Sequence, residues 1–171
     1  LESHGRQARL FGERWQFMEK ATFGAGCFWG VQLAFDQLFG VQSTSVGYSG
    51  GKRANPTYEQ VCSDATGHAE VVEITFDPAQ ISYERLVEKF FTLHDPTQLN
   101  RQGPDVGSQY RSVIFYHSAE QQRTAEEVKT RIAPLHGRPV VTVIEPAQPY
   151  WPAEDYHQKY LEKRGRGACH I

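Results

Sequence analysis

The sequence predicts an α+β fold: a two-layer α/β sandwich with a ferredoxin-like core, a mixed sheet and an irregular C-terminal tail. Strand-like and helix-like segments alternate along the chain, and polar residues in the strand-like segments leave one face of a sheet for solvent. That pattern favours two layers over a doubly wound parallel sheet. The length of 171 residues, 39% of them hydrophobic, suits one domain with its own core. We assign residues 20–171 to this domain and residues 1–19 to an N-terminal extension or an artificial remnant.

Short apolar segments in the first half of the chain are predicted as β-strands: 20–25, 44–48 and 72–76. In the last two, apolar residues alternate with polar ones, which predicts strands that are buried on one face. A helix is predicted over 28–39, because Val31, Phe35 and Leu38 recur on one of its faces. We therefore expect Cys27 at the N-terminus of this helix.

The second half of the chain continues the alternation. Ser82 is predicted to cap a helix that ends before Asp95 and Pro96. The loop that follows contains Gly103, Pro104 and Gly107, and we expect no regular structure in it. The remaining elements are predicted as a strand, a helix opened by a capping box at Ser118 and Gln121, and a last strand, over 112–117, 118–135 and 140–144.

Composition argues against several classes of partner. The formal net charge is −2 and no run of Lys or Arg occurs, which argues against binding to nucleic acid or anionic lipid. No segment reaches the roughly 18 apolar residues of a membrane span, and the N-terminus lacks the apolar core of a signal peptide. The sequence opens LESHGRQARL without an initiator Met, so we expect a processed form, an excised domain or an artificial start. We predict a monomer in the cytoplasm.

Cys27 is the first candidate for chemistry. Backbone N–H groups and the helix dipole stabilise a thiolate at the start of a helix, which lowers the pKa of the thiol. Gly26 and Gly30 let the backbone approach a ligand closely, and Phe28 with Trp29 offers an apolar surface beside the sulfur. The alternative is a small buried residue in a strand-to-helix turn. Three cysteines are too few for a disulfide scaffold in a chain that builds its own core.

Further candidates lie in three other segments. In TGHAEVVEITFD, Glu70 stands among apolar residues, which would raise the pKa of its carboxyl and make it a proton donor near neutral pH. A solvated glutamate at a strand end is the alternative. Tyr58 and Tyr110 carry phenols that can donate hydrogen bonds to developing negative charge, although most tyrosines serve packing, and Asp105 shares a loop with Tyr110. Cys169 stands near the end of the chain in RGRGACHI, where we expect a thiol that is able to move.

Several motifs, taken in order, resemble those of peptide methionine sulfoxide reductases of the A type. They are GCFWG at 26–30, GYSGG at 47–51, NPTYEQVC at 55–62, TGHAEVV at 66–72, FDP at 76–78, HDPTQLNRQGPDVGSQYRS at 94–112 and YHQKYL at 156–161. The match spans about residues 20–170. GCFWG alone would only be suggestive, whereas the ordered set is a strong indication.

The resemblance implies reduction of the S epimer of methionine sulfoxide, free or in proteins, as a repair of oxidative damage. The nucleophilic cysteine would become a sulfenic acid, a second cysteine would condense with it into an intramolecular disulfide, and thioredoxin or another dithiol would reduce that disulfide. No metal, flavin or nucleotide cofactor is implied. The implied site residues are Cys27 as nucleophile, Phe28 and Trp29 around the substrate methyl group, Glu70 as proton donor, Tyr58, Asp105 and Tyr110 in sulfoxide binding, and Cys169 as resolving cysteine.

Other interpretations of the same residues stay open. A cysteine hydrolase would pair Cys27 with His157, which lies 130 positions further along, although the local motif differs from that of papain-like enzymes. A binding module would use Phe28, Trp29 and the tyrosines to hold methionine-containing peptides. The third alternative is a zinc site, with ligands at non-standard spacing: Cys62, His68, Cys169 and His170.

Some positions carry narrower expectations. The tail holds Cys169 where some family members carry two cysteines, so a relay of three thiols is not predicted. Asp64 stands where the family pattern has a glycine, which we expect to affect a turn more than the chemistry. Cys62 lies in a short apolar helix and is predicted to be buried filler. His68 is predicted to be a structural hydrogen-bonding residue, with a catalytic base as the alternative.

Overall fold

The computed structural model of the chain describes residues 17–164. The strands in this part are β1 (Glu19–Ala25), β2 (Val41–Ser49), β3 (Ala69–Phe76), β4 (Arg101–Gln102), β5 (Asp105–Val106), β6 (Ser112–Tyr116), β7 (Val143–Pro146) and β8 (Tyr150–Pro152). The α-helices are α1 (Phe28–Asp36), α2 (Tyr58–Cys62), α3 (Tyr83–Thr92), α4 (Ala119–Ile132) and α5 (Tyr160–Arg164). Short 3₁₀ turns at Ser108–Tyr110, Ala133–Leu135 and Asp155–His157 complete the described elements.

Six of these strands form one mixed sheet in the order β7-β6-β1-β3-β2-β8. All neighbouring pairs are antiparallel except β6 and β7, which run parallel. The α+β prediction with a mixed sheet is thereby confirmed, while the ferredoxin-like detail stays a prediction. The register places Glu70 of β3 opposite Tyr48 of β2, and Phe23 of β1 opposite Val72 of β3.

The main core lies between the helices and one face of this sheet. Phe23 of β1 stacks on Phe35 of α1 and on Phe90 of α3, with ring centroids 5.4 Å and 5.2 Å away. Burial of such aromatic groups is the main source of free energy that holds the two layers together. A smaller cluster covers part of the opposite face, where Tyr150 packs against buried residues of β3 and β6. The start of β3, residues 69–72, is therefore buried on both faces, whereas residues 72–76 alternate between buried and half-buried positions, as the sequence predicted.

The loop after α3 differs from its prediction because it contains a small hairpin. β4 and β5 pair antiparallel, with Gln102 opposite Asp105. Gly103 has a φ of +57° and precedes Pro104, so these two residues form the tight turn between the strands. The residues that were expected to prevent regular structure instead make the turn that permits it.

The last predicted strand is also displaced. The backbone at Val141 donates a hydrogen bond to the carbonyl of Pro96 at 2.8 Å, in the loop after α3, so the chain joins the sheet only at Val143. Strand β8 and the short helix α5 were not predicted. Both belong to a C-terminal segment that runs along the β2 side of the sheet.

Gln158 fastens this C-terminal segment to the sheet. Its side-chain oxygen accepts a hydrogen bond from the Val46 N–H at 2.9 Å, and its side-chain nitrogen donates to the Val46 carbonyl at 2.9 Å. Next to it, the Lys159 N–H donates to the side chain of Gln32 at 2.7 Å, and the Lys159 ammonium pairs with Asp36 at 2.7 Å. These contacts hold the segment against β2 and α1.

Within residues 17–164, we find no helix that combines the length and the apolar character needed to cross a bilayer.

Candidate active site

Cys27 stands where β1 passes into α1. It is the residue before the first helical residue, Phe28, as the sequence predicted, and its side chain is half-buried. Gly26 has a φ of +93°, a conformation that glycine adopts without strain. A side chain at Gly26 would also meet Gln102, whose Cβ lies 2.8 Å from the position of an added Cβ. Glycine therefore lets the β4–β5 hairpin pack directly beside the thiol.

Glu70 lies under the start of the same helix. Its side chain is only 2% exposed, and its Oε1 accepts a hydrogen bond from the Phe28 N–H at 3.4 Å. The carboxyl group therefore lies against the first turn of α1. The alternative of a solvated glutamate at a strand end is wrong, because β3 is buried at this point.

Phenol groups surround this carboxyl. Burial is the main reason that the pKa values of Tyr48, Tyr58 and Tyr110 are raised, and the nearby charge of Glu70 raises all three further. The charges of Asp105 and Cys27 also raise the pKa of Tyr110. All three phenols therefore stay protonated and able to donate a hydrogen bond near neutral pH.

The structure thus brings together residues from four separate parts of the chain: Cys27, Tyr58, Glu70, Asp105 and Tyr110. Tyr58 opens helix α2, whereas Tyr110 ends the 3₁₀ turn that follows the hairpin. Asp105 lies in β5 and is half-buried. The predicted cysteine, carboxyl and phenol groups form one cluster, although they are up to 83 positions apart in the sequence.

The environment of Cys62 differs from its prediction. We predicted buried filler, but the residue is exposed at the end of α2, whose one fully buried residue is Val61. Its thiol hydrogen-bonds with the hydroxyls of Tyr58 and Tyr110. Desolvation of the thiol raises its pKa, these two hydrogen bonds lower it in part, and the charge of Glu70 raises it again. The net effect is an increase, so Cys62 is poorly suited to be the thiolate nucleophile.

Phe28 and Trp29 have different environments. Phe28 is 1% exposed and belongs to the main core, where its ring packs 5.8 Å from that of Tyr48. Trp29 is half-buried, and one face of its indole stacks on Tyr160 with ring centroids 3.9 Å apart. Trp29 is therefore the more accessible of the two aromatic groups beside Cys27.

His157 lies in an aromatic cage formed by the rings of Phe28, Trp29, Tyr58 and Tyr156. The indole N–H of Trp29 donates a hydrogen bond to its Nδ1 at 3.0 Å, and its Nε2 lies 3.4 Å from a carboxylate oxygen of Glu154. Burial lowers the pKa of His157, and the charge of Glu154 opposes that change in part. Because both ring nitrogens point to these partners, His157 is not arranged as the general base that a cysteine hydrolase would need.

His68 is a structural residue. Its Nδ1 accepts a hydrogen bond from the Gly51 N–H at 2.9 Å, and its Nε2 pairs with the Arg53 carbonyl at 2.6 Å. Among the residues that the structure describes, no three His, Cys, Asp or Glu side chains are grouped to hold a metal ion. Two of the four suggested zinc ligands, Cys169 and His170, lie outside the described residues, as does the predicted resolving role of Cys169.

Comparison with known proteins decides between the interpretations. A family model described as "Peptide methionine sulfoxide reductase" matches residues 19–171. The chain belongs to this family. It is 63% identical over 156 residues to the "Peptide methionine sulfoxide reductase MsrA" of Acidobacterium capsulatum, covering 90% of this chain and all of that protein. The A-type relationship is confirmed, and the chain is an oxidoreductase that acts on methionine sulfoxide.

Solved structures of such reductases share the fold. Mxr1 from Saccharomyces cerevisiae in reduced form is 34% identical, covers 90% of each chain and gives a TM-score of 0.85. Methionine sulfoxide reductase A of Corynebacterium diphtheriae is 40% identical with a TM-score of 0.84, covering 90% of this chain and 78% of that one. These likenesses agree with the two-layer architecture described above.

Sequence reasoning gave no role to Tyr48, Glu154 or Tyr160, and considered His157 only as a hydrolase base. Tyr48 reaches the site because the sheet register places it opposite Glu70. Glu154, His157 and Tyr160 reach it because they belong to the C-terminal segment that packs beside Trp29. Tyr48 and His157 both belong to motifs of the family, GYSGG and YHQKYL, and these motifs are the signal that could have drawn attention to them.

Proposed function

We propose that the chain reduces the S epimer of methionine sulfoxide, free or in proteins, and so repairs oxidised methionine. The observation that carries this proposal is the meeting of a half-buried thiol, Cys27, and a buried carboxyl, Glu70, at the first turn of α1. Near them stand Tyr58 and Tyr110, protonated phenols whose pKa values are both raised by the charge of Glu70 in addition to burial. The choice of the S epimer follows the A-type family resemblance.

The proposed chemical step transfers one oxygen atom between two sulfur atoms. Hydrogen bonds from Tyr58 and Tyr110 to the sulfoxide oxygen make the substrate sulfur more electrophilic. The Cys27 thiolate attacks and Glu70 supplies a proton, so that the sulfur–oxygen bond of the substrate breaks while a new one forms on Cys27. Methionine leaves as the reduced product, and Cys27 is oxidised to a sulfenic acid.

Trp29 and Phe28 are proposed to hold the methyl group of the substrate. A methyl group on sulfur is apolar, and the indole of Trp29 is an apolar surface two positions from Cys27 that is not fully buried. Phe28 supports this surface from the core, with its ring centroid 6.5 Å from that of Trp29. Asp105 is proposed to assist in binding the sulfoxide oxygen, because its charge raises the pKa of Tyr110 and so helps to keep that phenol protonated.

The enzyme is proposed to return to its reduced form in two steps. The Cys169 thiol condenses with the sulfenic acid, which releases water and leaves a Cys27–Cys169 disulfide, and thioredoxin or another dithiol then reduces that disulfide by exchange. A related reductase, yeast Mxr1, has been solved in complex with Trx2, which supports a thioredoxin partner. The monomeric state and the cytoplasmic location stay predictions.

A coupled assay with a chemical reductant tests this function. The chain is incubated with separated epimers of methionine sulfoxide and with dithiothreitol, and free methionine is measured. We expect turnover of the S epimer alone, complete loss with Cys27→Ser, and most of the activity with Cys62→Ser, because a serine hydroxyl can still hydrogen-bond with Tyr58 and Tyr110. Methionine production by Cys27→Ser would refute the proposal.

A further inference from the structure

The aromatic cage around His157 fixes the protonation of its ring. An indole N–H is a donor only, so the Nδ1 atom that accepts from Trp29 carries no proton. In the neutral ring the proton then resides on Nε2, which faces the Glu154 carboxylate at 3.4 Å. The His157 side chain is only 1% exposed. Its tautomer is therefore set by the hydrogen bond from Trp29, on the helix that follows Cys27, and the Glu154 carboxylate lies beside the protonated Nε2.

Glu154 links this ring to the opposite side of the site. Its Oε1 accepts a hydrogen bond from the Tyr58 N–H at 3.0 Å, at the start of α2, and its Oε2 accepts from the Tyr48 hydroxyl at 3.4 Å. The Tyr58 ring also packs on the His157 ring with centroids 4.4 Å apart. One carboxylate thus fixes the backbone of Tyr58 and lies next to the ring of His157.

We propose that Glu154 and His157 form a positioning pair that orients Trp29 and Tyr58 for sulfoxide binding. This inference rests on the proposed function, in which Trp29 receives the methyl group and Tyr58 the oxygen of the substrate. Trp29 is bonded to His157 and Tyr58 to Glu154, so the two sides of the substrate are held by directly contacting groups. Neither member of the pair takes part in the chemical step.

Substitutions at position 157 separate the hydrogen bond from the packing. His157→Phe keeps a ring inside the cage but removes the acceptor for the Trp29 indole, whereas His157→Gln offers a side-chain oxygen that restores it. We expect His157→Phe to raise KM for methionine sulfoxide and to lower kcat/KM about tenfold, the effect of one lost buried hydrogen bond. His157→Gln should recover most of that loss.

Glu154→Gln provides a second variant should His157→Phe fold poorly. Glutamine can still accept from the Tyr58 N–H through its oxygen, but it removes the negative charge that lies 3.4 Å from His157 Nε2, so we expect KM to rise in the same direction as in His157→Phe. Asp155→Asn is the matched control, because it makes the same chemical change one position away at an exposed site, and it should leave KM and kcat unchanged. Thermal unfolding of each variant establishes that it is folded.

The acid side of the pH profile supplies an independent readout. A proton on His157 Nδ1 would remove the acceptor for Trp29, so kcat/KM of the wild type should decline on the acid side, and His157→Gln should lose that decline. The titratable groups that face the ring are Glu154 and the phenols of Tyr58 and Tyr156. A merely structural role would lower activity through unfolding alone and leave KM and this profile unchanged.

The outcomes distinguish this inference from the proposed function. If the wild type produces no methionine, the proposed function itself fails. If the wild type is active and Cys27→Ser is inactive, yet folded His157→Phe and Glu154→Gln keep the wild-type KM, kcat/KM and pH profile, only the positioning inference is overturned. A raised KM in both variants, with recovery in His157→Gln, supports it.

Discussion

Glu70 illustrates how one residue depends on its exact position in a sheet. Its carboxyl reaches the first N–H of α1 because β3 lies beside β1, the strand that leads into Cys27. A carboxyl buried in this way can bring a proton to a reacting group without competition from bulk water. Its role in the reaction is therefore open to a direct test by substitution.

Glu70→Gln keeps the size of the side chain but removes its acid proton. We expect the single-turnover rate of sulfoxide reduction to fall by roughly 10²–10⁴, the range typical of a general acid, with a smaller change in substrate binding. Glu73→Gln on the same strand is the control, since Glu73 pairs with Lys20 away from the site and should leave the rate within about twofold. An unchanged rate in Glu70→Gln would assign Glu70 a structural role.

At the scale of elements, His94 joins the end of α3 to β6. Its Nδ1 bonds to the Phe90 carbonyl at 2.9 Å and its Nε2 to the Ser112 hydroxyl at 2.7 Å. Burial lowers the pKa of His94 from 6.5 to about 4. The ring is therefore neutral in the folded protein over a pH range in which the unfolded chain already binds a proton.

This shift predicts a loss of stability in acid. Because the pKa is lower in the folded state, the stability contributed by neutral His94 is fully present above pH 6.5 and decreases as the pH falls towards 4, by about 3 kcal/mol in total. Urea unfolding at pH 7 and pH 4.5 should show a smaller decrease for His94→Asn than for the wild type. Equal decreases in the two proteins would contradict the prediction.

Gly47 controls how β8 joins β2. A Cβ at this position would lie 2.5 Å from the Trp151 carbonyl oxygen, which is backbone and has little room to move. We expect Gly47→Ala to lower the free energy of unfolding by about 1–3 kcal/mol, as overpacking commonly does. Gly137→Ala is the control, because an added Cβ there meets no atom within 4 Å, and it should change stability by less than about 0.5 kcal/mol. Similar effects of the two substitutions would argue against this account of Gly47.

At the scale of the whole molecule, the proposed catalytic cycle requires two distant cysteines to meet. Disulfide formation needs Cα atoms within about 7 Å of each other. Tyr160 stacks on Trp29, two positions from Cys27 in the sequence, so the last described helix already begins beside the site. Cys169 lies nine positions after Tyr160, and a chain that is helical to Arg164 and extended beyond it can reach roughly 20 Å from Tyr160. The required approach is within reach.

Cys169→Ser tests whether this thiol resolves the sulfenic acid. We expect the variant to reduce about one sulfoxide per enzyme at a normal rate, to accumulate a dimedone-reactive Cys27 and to recycle poorly with thioredoxin. Mass spectrometry of substrate-oxidised wild type should show a Cys27–Cys169 linkage with Cys62 still a thiol. A Cys27–Cys62 linkage, or normal turnover of the variant with thioredoxin, would contradict the assignment.

Features that depend on residues close together in the sequence could be predicted, whereas features that depend on contacts between distant segments could not. The position of Cys27 before a helix depends on neighbouring residues, and the left-handed φ of +61° at Asp64 agrees with the turn that was expected at this position. In contrast, the exposure of Cys62 depends on which face of α2 meets the core, and that face carries Val61. The contacts of Glu154 and His157 depend on how the C-terminal segment docks, and no local pattern encodes that.

The amide of Gln158 has a consequence for encounters between copies of this chain. The open backbone groups of an edge strand are a template on which another chain can add a strand, a common first step in aggregation. Strand β8 covers Gly47–Ser49 of β2, and Gln158 occupies both the N–H and the carbonyl of Val46, the next residue along. Together with the Ala153 N–H, which also donates to the Val46 carbonyl, Gln158 thus extends the protected part of the sheet edge beyond the end of β8 and lowers the tendency of two copies to pair edge to edge.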